Sequence, residues 1–393
     1  MDYILLLPII LESIDFLEFS LKFDFFPLSF GSVIFWMLSL KNYNKALLKN
    51  QITSAFFIII TGLFLSGTLT DTAPNDLSRT VAFLISLISG VFFAHFLFQK
   101  GYIRKVYLFF WATNCYWVYY VLNLFLSGKI STEFHFNSNN QNIETTNSHT
   151  ISIAVSFSSI FLFHYYLSTG GFRNKLIAYT VFSISILTLF LAQSRSNLVI
   201  TLFIGIVVFL ISNKRKIKLQ YFFISVFLFF AFLNFLPFIA SKFGDSESSI
   251  SKRYSLEEKD YQESTTNARK LVYFAFADRI SQNFFGTGIV KPKLYLGTSE
   301  TTNLLMHNQY ATWVVAGGWI SLIGVVYLMF CFIKYYLRFF RSIRFLSRET
   351  FSLNLALLCY FLTLFTVEQS SLIFFVFTGL LIYQYSFFFR KSS

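Results

Sequence analysis

Apolar residues gather in about twelve blocks along this chain, most of them near the roughly 20 residues an α-helix needs to cross a bilayer. Their cores are 3–19, 25–40, 52–69, 80–98, 106–126, 151–168, 176–192, 197–212, 219–240, 307–333, 351–367 and 370–389. The polar links between them are short, with two exceptions. Residues 128–150 are polar and Asn-rich, and 241–306 form a far longer link of mixed charge. The pattern predicts an all-α integral membrane protein with about 12 transmembrane helices. Segment 1–240 carries helices one to nine, 241–306 is a large loop, and 307–393 carries the last three. No repeat recurs at a fixed period, and no linker divides the membrane part.

Charge in the links alternates. Lys41, Lys45 and Lys49; Lys100, Arg104 and Lys105; Arg173 and Lys175; Lys214, Arg215, Lys216 and Lys218; Lys334, Arg338, Arg341, Arg344 and Arg348; and Arg390 and Lys391 all fall on one side. These hold more than half of the 32 Lys and Arg, with hardly an acid among them apart from Glu349. The positive-inside rule makes that side cytoplasmic, so both termini lie there and both long links lie outside. The first block lacks a basic leader and a small-residue cleavage site, which predicts a retained span. Glu12, Asp15 and Glu18 recur along it at helical spacing and would be expensive against lipid, so it packs in the bundle or lies at the surface.

Composition narrows the class further. At 55% apolar, 21% aromatic and 13% charged, the chain is polytopic rather than soluble. Its net charge of +13 is mainly an orientation signal. The basic groups are scattered over short loops and form no stripe, so no nucleic acid is expected as a partner. Cys115, Cys331 and Cys359 lie in apolar blocks without pairing or ligand spacing, which predicts neither disulfides nor a metal site.

The long outer link contains a second pattern. Leu271, Val272, Ala275, Phe276 and Ile280 recur at the helical period, with capping residues before them and Gly286 after. An amphipathic helix over about 266–283 is expected, lying against the outer surface or the bundle mouth. Arg269, in N-A-R-K, falls in its first turn, where a cation gains nothing from the helix dipole. An anion docked on the free N–H groups beside Arg269 would account for it. Lys270 and Arg279 read as solvated-face residues. Arg195 lies in Q-S-R-S-N, a hairpin so tight that the arginine sits at the outer rim; on position alone, snorkelling explains it equally well.

His307 lies in M-H-N-Q-Y, where the long link enters the tenth span, with polar Asn308 and Gln309 beside it. An unperturbed imidazole pKa of roughly 6.5 suits proton transfer near neutral pH. Ala311, Ala316, Gly317 and Gly318 follow, small residues that let helices approach closely, and the glycine pair is a kink site.

The order of these motifs resembles the bacterial O-antigen polymerases and O-antigen ligases. It runs S-R-S opening a span (Ser194 to Ser196), N-A-R followed by a helix and F-F-G-T-G (Asn267 to Gly288), then H-N-Q-Y running into a glycine-containing span. The resemblance covers about 193–330 in detail. It implies about twelve spans in the bacterial inner membrane, a large periplasmic loop, an active site on the periplasmic face, and a glycan donor linked to undecaprenyl pyrophosphate. It also implies chemistry without metal or other cofactor, with a chain-length-regulating membrane protein as a partner. Carried onto this chain, it makes Arg195 and Arg269 the donor pyrophosphate contacts and His307 the catalytic base or acceptor-positioning residue. Arg279, Asn308 and Gln309 would support them.

The residues fit that chemistry. Arginine stays charged and matches phosphate oxygens bidentately, and the outer face shows no carboxylate cluster of the kind divalent metals use. A polymerase would pass the glycan to a lipid-linked repeat unit, and a ligase to lipid A-core; the expectation favours the polymerase. A flippase or other transporter fits less well, because no inverted repeat is visible and the candidate residues gather at one face.

Overall fold

A computed structural model describes residues 21–23, 26–28, 45–70, 73–99, 101–127, 148–192, 194–212, 281, 284–288, 308–341, 346–365 and 372–390. Among them are nine α-helices: α1 Gln51–Thr68, α2 Ala73–Gln99, α3 Val106–Leu126, α4 Ser148–Ser168, α5 Phe172–Leu191, α6 Arg195–Ser212, α7 Gln309–Arg341, α8 Arg348–Thr363 and α9 Leu372–Arg390. A short antiparallel pair joins β1 (Leu21–Phe23) to β2 (Phe26–Leu28), with Leu21 opposite Leu28. Five helices are long and apolar enough to cross a membrane by length and composition: α1, α2, α4 from Ile151, α5 and α7. Shorter apolar helical stretches are Ser196–Ser212 and Phe374–Ser386. The expected first and ninth spans, most of the second, and the amphipathic helix over 266–283 lie outside the described residues, apart from Ser281, which is helical and exposed.

The chain forms two compact units. The first comprises Met1–Arg104, Asn267–Leu346 and Leu364–Ser393, and so contains α1, α2, α7 and α9. Helix α1 starts cleanly because Asn50 caps it, its Oδ1 accepting from the Thr53 N–H at 2.9 Å. Pro74 and Asp76 sit in the first turn of α2, where a proline lacks no needed donor and an acid favours the dipole. Glycines set the spacing of α1 and α7: a Cβ at Gly324 would lie 2.8 Å from the Ile59 backbone nitrogen. At the Gln51 end, the Gln51 side-chain oxygen accepts from Lys334 Nζ at 3.1 Å and from the Tyr385 hydroxyl. On the other face of α7, Trp319, Ile323, Val326, Phe330, Ile333 and Leu337 are exposed at helical spacing, as lipid contact requires.

The second unit comprises Lys105–Thr266 and Ser347–Thr363, and contains α3 to α6 and α8. Helix α4 is its centre, and every residue over 151–164 is buried. Two of its serines cost little there because they bond to their own helix; Ser158 Oγ donates to the Ala154 carbonyl at 2.6 Å and Ser159 Oγ to the Ser156 carbonyl at 2.9 Å. The Ser158 hydroxyl also accepts from Asn114 Nδ2 at 3.1 Å, which reaches Ser185 Oγ at 3.0 Å as well and so ties α3, α4 and α5 together. Arg348 at the start of α8 lies 4.2 Å over the Tyr165 ring and pairs with Glu349 at 3.1 Å.

Candidate functional site

The tenth apolar block was expected to be one long span with a glycine kink, and the structure corrects that picture. Helix α7 breaks at Gly318, whose φ of 64° and ψ of −152° are not helical. Breaking a helix in an apolar setting strands carbonyls on one side and N–H groups on the other, and each needs a partner. The F-F-G-T-G turn, 284–288, supplies them. The Thr287 and Gly288 N–H groups donate to the Val315 and Ala316 carbonyls at 3.0 Å each, and the Trp319 N–H donates to the Phe284 carbonyl at 3.0 Å. Gly286, expected to stop the preceding helix, has φ of 87° and packs on the same break.

The break is a reversal rather than a bend. After it, α7 follows α1 toward the Gln51 end: Ser321 Oγ donates to the Ile59 carbonyl at 3.0 Å, and Lys334 reaches Gln51. Before it, Gly317 packs against Leu63, yet the Trp313 ring meets Phe56 at 5.8 Å and Phe83 at 6.0 Å between centroids. Phe56 lies about two turns, roughly 10 Å, nearer the Gln51 end than Leu63. A helix continuing straight past Gly318 would carry Trp313 away from Phe56, so 309–317 folds back beside 319–341. The second piece, roughly 34 Å long, can cross a bilayer; the first, roughly 13 Å, cannot.

The reversal sets the polar N-Q-Y start of α7, residues 308–310, inside this unit. Asn308 caps the helix, its Oδ1 accepting from the Ala311 N–H at 3.1 Å. The Gln309 N–H donates to the Leu364 carbonyl at 2.9 Å, and the Gln309 side chain is buried. The Tyr310 ring is packed between Trp313 and Phe365. His307, Arg269 and Arg279 lie outside the described residues.

The S-R-S turn belongs to the second unit and is as tight as expected. Helix α5 ends at Leu191 and Arg195 opens α6. Ser194 stands at the N-cap, its carbonyl accepting from the Leu198 N–H at 3.0 Å. Among the described residues its hydroxyl is buried without a partner, as are both amide atoms of Asn197, which is 0% exposed. Unpaired buried polar atoms at a helix N-terminus make the start of α6 a receptive place for a polar group.

Asp76, Thr70 and Ser66 were not singled out by the sequence, and the fold brings them to the F-F-G-T-G turn. Gly288 shares its N–H with Ser66 Oγ at 2.8 Å, and a Cβ on Gly288 would lie 2.7 Å from Asp76 Oδ2. Thr70 Oγ1 donates to that same carboxylate oxygen at 2.6 Å. The only sequence signal was an acid in a first turn, which is ordinary for a helix start. Among the described residues, no group of three His, Cys, Asp or Glu is arranged to hold a metal ion.

No curated protein matches the chain. Residues 180–326, which contain the S-R-S, N-A-R, F-F-G-T-G and H-N-Q-Y motifs and the Gly318 break, match the family model described as O-antigen ligase, supporting the O-antigen ligase and polymerase family.

Proposed function

We propose that the protein is an O-antigen or related surface-polysaccharide polymerase. It takes glycan from an undecaprenyl-pyrophosphate-linked donor and passes it to a lipid-linked repeat unit at the periplasmic face of the inner membrane. The observation that carries the reading is the family match over 180–326, since that segment holds every residue to which the motif order assigns a role. Apolar helices suited to a membrane-embedded substrate support it.

In this mechanism an acceptor hydroxyl attacks the donor's anomeric carbon from the face opposite the phosphate. The new C–O bond forms as the bond to pyrophosphate breaks, with inversion. The electron pair leaves on undecaprenyl pyrophosphate, whose growing charge Arg195 and Arg269 stabilise through paired N–H donors. The hydroxyl proton passes to neutral His307. Arg279, Asn308 and Gln309 support this arrangement, Asn308 and Gln309 by ordering the helix start beside His307. No metal or other cofactor is needed.

Ligase activity toward lipid A-core is the second reading, favoured by the description of the matching family. The lipopolysaccharide ladder of a deletion strain decides between them. Core carrying one repeat identifies a lost polymerase; bare core with accumulated long lipid-linked chains identifies a lost ligase. A ladder identical to wild type would remove both.

A further inference from the structure

Asp76 lies far outside the matched segment and has no part in the transfer chemistry, yet it is 0% exposed. An acid in a first turn needs no burial to favour the dipole, and burying a carboxylate is costly unless it is well bonded. The carboxylate is packed at the joined ends of α1 and α2. Thr70 donates to Oδ2, and the Asp76 backbone carbonyl accepts from Thr80 Oγ1 at 2.8 Å. The carboxylate closes directly over Gly288, and Gly67 makes room from α1, where a Cβ would lie 3.1 Å from the Asp76 Cβ. Ser66 holds the Gly288 N–H from the same helix end. Three polar side chains from the ends of α1 and α2 thus form a seat for one turn of backbone, and that turn completes the broken α7.

We infer that Asp76 is a positioning residue for the transfer reaction, resting on the reading above: with Thr70 and Ser66 it locks F-F-G-T-G into the break at Gly318. The lock holds the reversed piece of α7 and, through it, the Asn308–Gln309 start that follows His307 in the sequence. Asp76 touches no substrate. Losing the lock lets 309–317 shift, and misplacement of a catalytic group by about 1 Å costs on the order of a hundredfold in rate.

The test uses full-length protein in which Cys115, Cys331 and Cys359 have been replaced, carrying Thr287→Cys as a reporter. Labelling of that cysteine by a polar maleimide should speed up about tenfold or more in Asp76→Ala and less in Asp76→Asn, which keeps an oxygen for Thr70. The kcat for glycan transfer should fall in the same order while the donor KM changes by less than about threefold, a split that general loss of folded protein would not produce. Thr70→Val removes only the hydroxyl donor and serves if Asp76→Ala does not accumulate. Unchanged labelling in these variants would refute the seat, and faster labelling with unchanged kcat would refute the positioning role. Failure of the wild type to transfer glycan would instead refute the transferase reading and with it the positioning role, while the labelling still reports on the seat.

Discussion

The two units place polar groups in apolar surroundings in opposite ways. In the second, α4 stays intact through its fully buried stretch, and Ser158 and Ser159 return their hydrogen bonds to their own helix. In the first, α7 is interrupted, and a turn from elsewhere in the chain satisfies what the interruption exposes. An intact helix satisfies its own interior backbone without its neighbours. A broken one depends on a particular segment in a particular register, and in return it can point a polar helix end into the bundle instead of toward water. On the proposed reading the difference teaches where to look for chemistry: the interrupted helix begins directly after His307 in the sequence, and the buried middle of α4 carries no candidate residue.

The strongest way to break the comparison is through His307, which adjoins the interrupted helix. His307→Ala should keep donor binding but slow transfer by roughly 10² to 10⁴ if proton transfer is its role. Transfer by the intact enzyme should fall at acid pH, where the imidazole is protonated and cannot accept. His307→Gln can still hold an acceptor, so equal kcat for purified Gln and wild-type proteins would end the general-base assignment.

Next come the arginines, because Arg195 opens a helix of the closely packed unit and asks whether that unit is scaffold alone. Arg195→Ala and Arg269→Ala should each lose on the order of 10² to 10³ in transfer rate, with Lys variants retaining part. A normally folded Arg195→Ala protein at the wild-type rate would leave the second unit without a chemical role.

Glycine substitutions sharpen the structural half. Alanine at Gly318 would meet the Phe284 carbonyl and the Phe285 backbone at a positive φ of 64°, so strain alone costs about 1–3 kcal/mol and the turn is displaced. At Gly205 in the second unit the nearest atoms to an added methyl are the far end of the Phe182 ring, a side chain rather than backbone, at an ordinary helical position. Thermal unfolding in detergent should show a large loss for Gly318→Ala and a small one for Gly205→Ala; the reverse order would contradict the contrast. Smallest of all should be Asn114→Leu, which removes hydrogen bonds between intact helices worth about 0.6 kcal/mol on average.

Much of the fold was legible because hydropathy and helix-end chemistry are local. Nine of the apolar blocks mark the nine described helices, the S-R-S hairpin is as tight as its spacing requires, and the Gly317–Gly318 pair is where α7 breaks. The reversal was not legible. A hydropathy window averages across one glycine, and the proof that the chain turns back is a contact of Trp313 with Phe56, which no local pattern encodes. Asp76 was hidden for a similar reason: in T-D-T-A-P-N-D it looks like an exposed helix-start acid, and its burial follows from a turn supplied by another part of the chain. Of the candidate site, the sequence supplied the motifs and their order, and Asn308 and Gln309 proved to order one helix end. It could not reveal the seat that holds that end.

The seat also has a timetable. Ser66 and Gly288, which meet in it, are 222 residues apart in the chain. At about 5–20 residues per second, the ribosome needs on the order of ten to forty seconds to deliver the second after the first. Over that interval the Ser66–Asp76 ends of α1 and α2 lack the turn they seat, while α3, α4 and α5, neighbours in sequence, can pack as they emerge. Nascent chains arrested before Phe284 should therefore be readily cleaved by protease around Thr70, and chains released after α7 should resist. Biogenesis would then finish from the middle outward, with the last helices to be made closing a pocket of structure opened by some of the first.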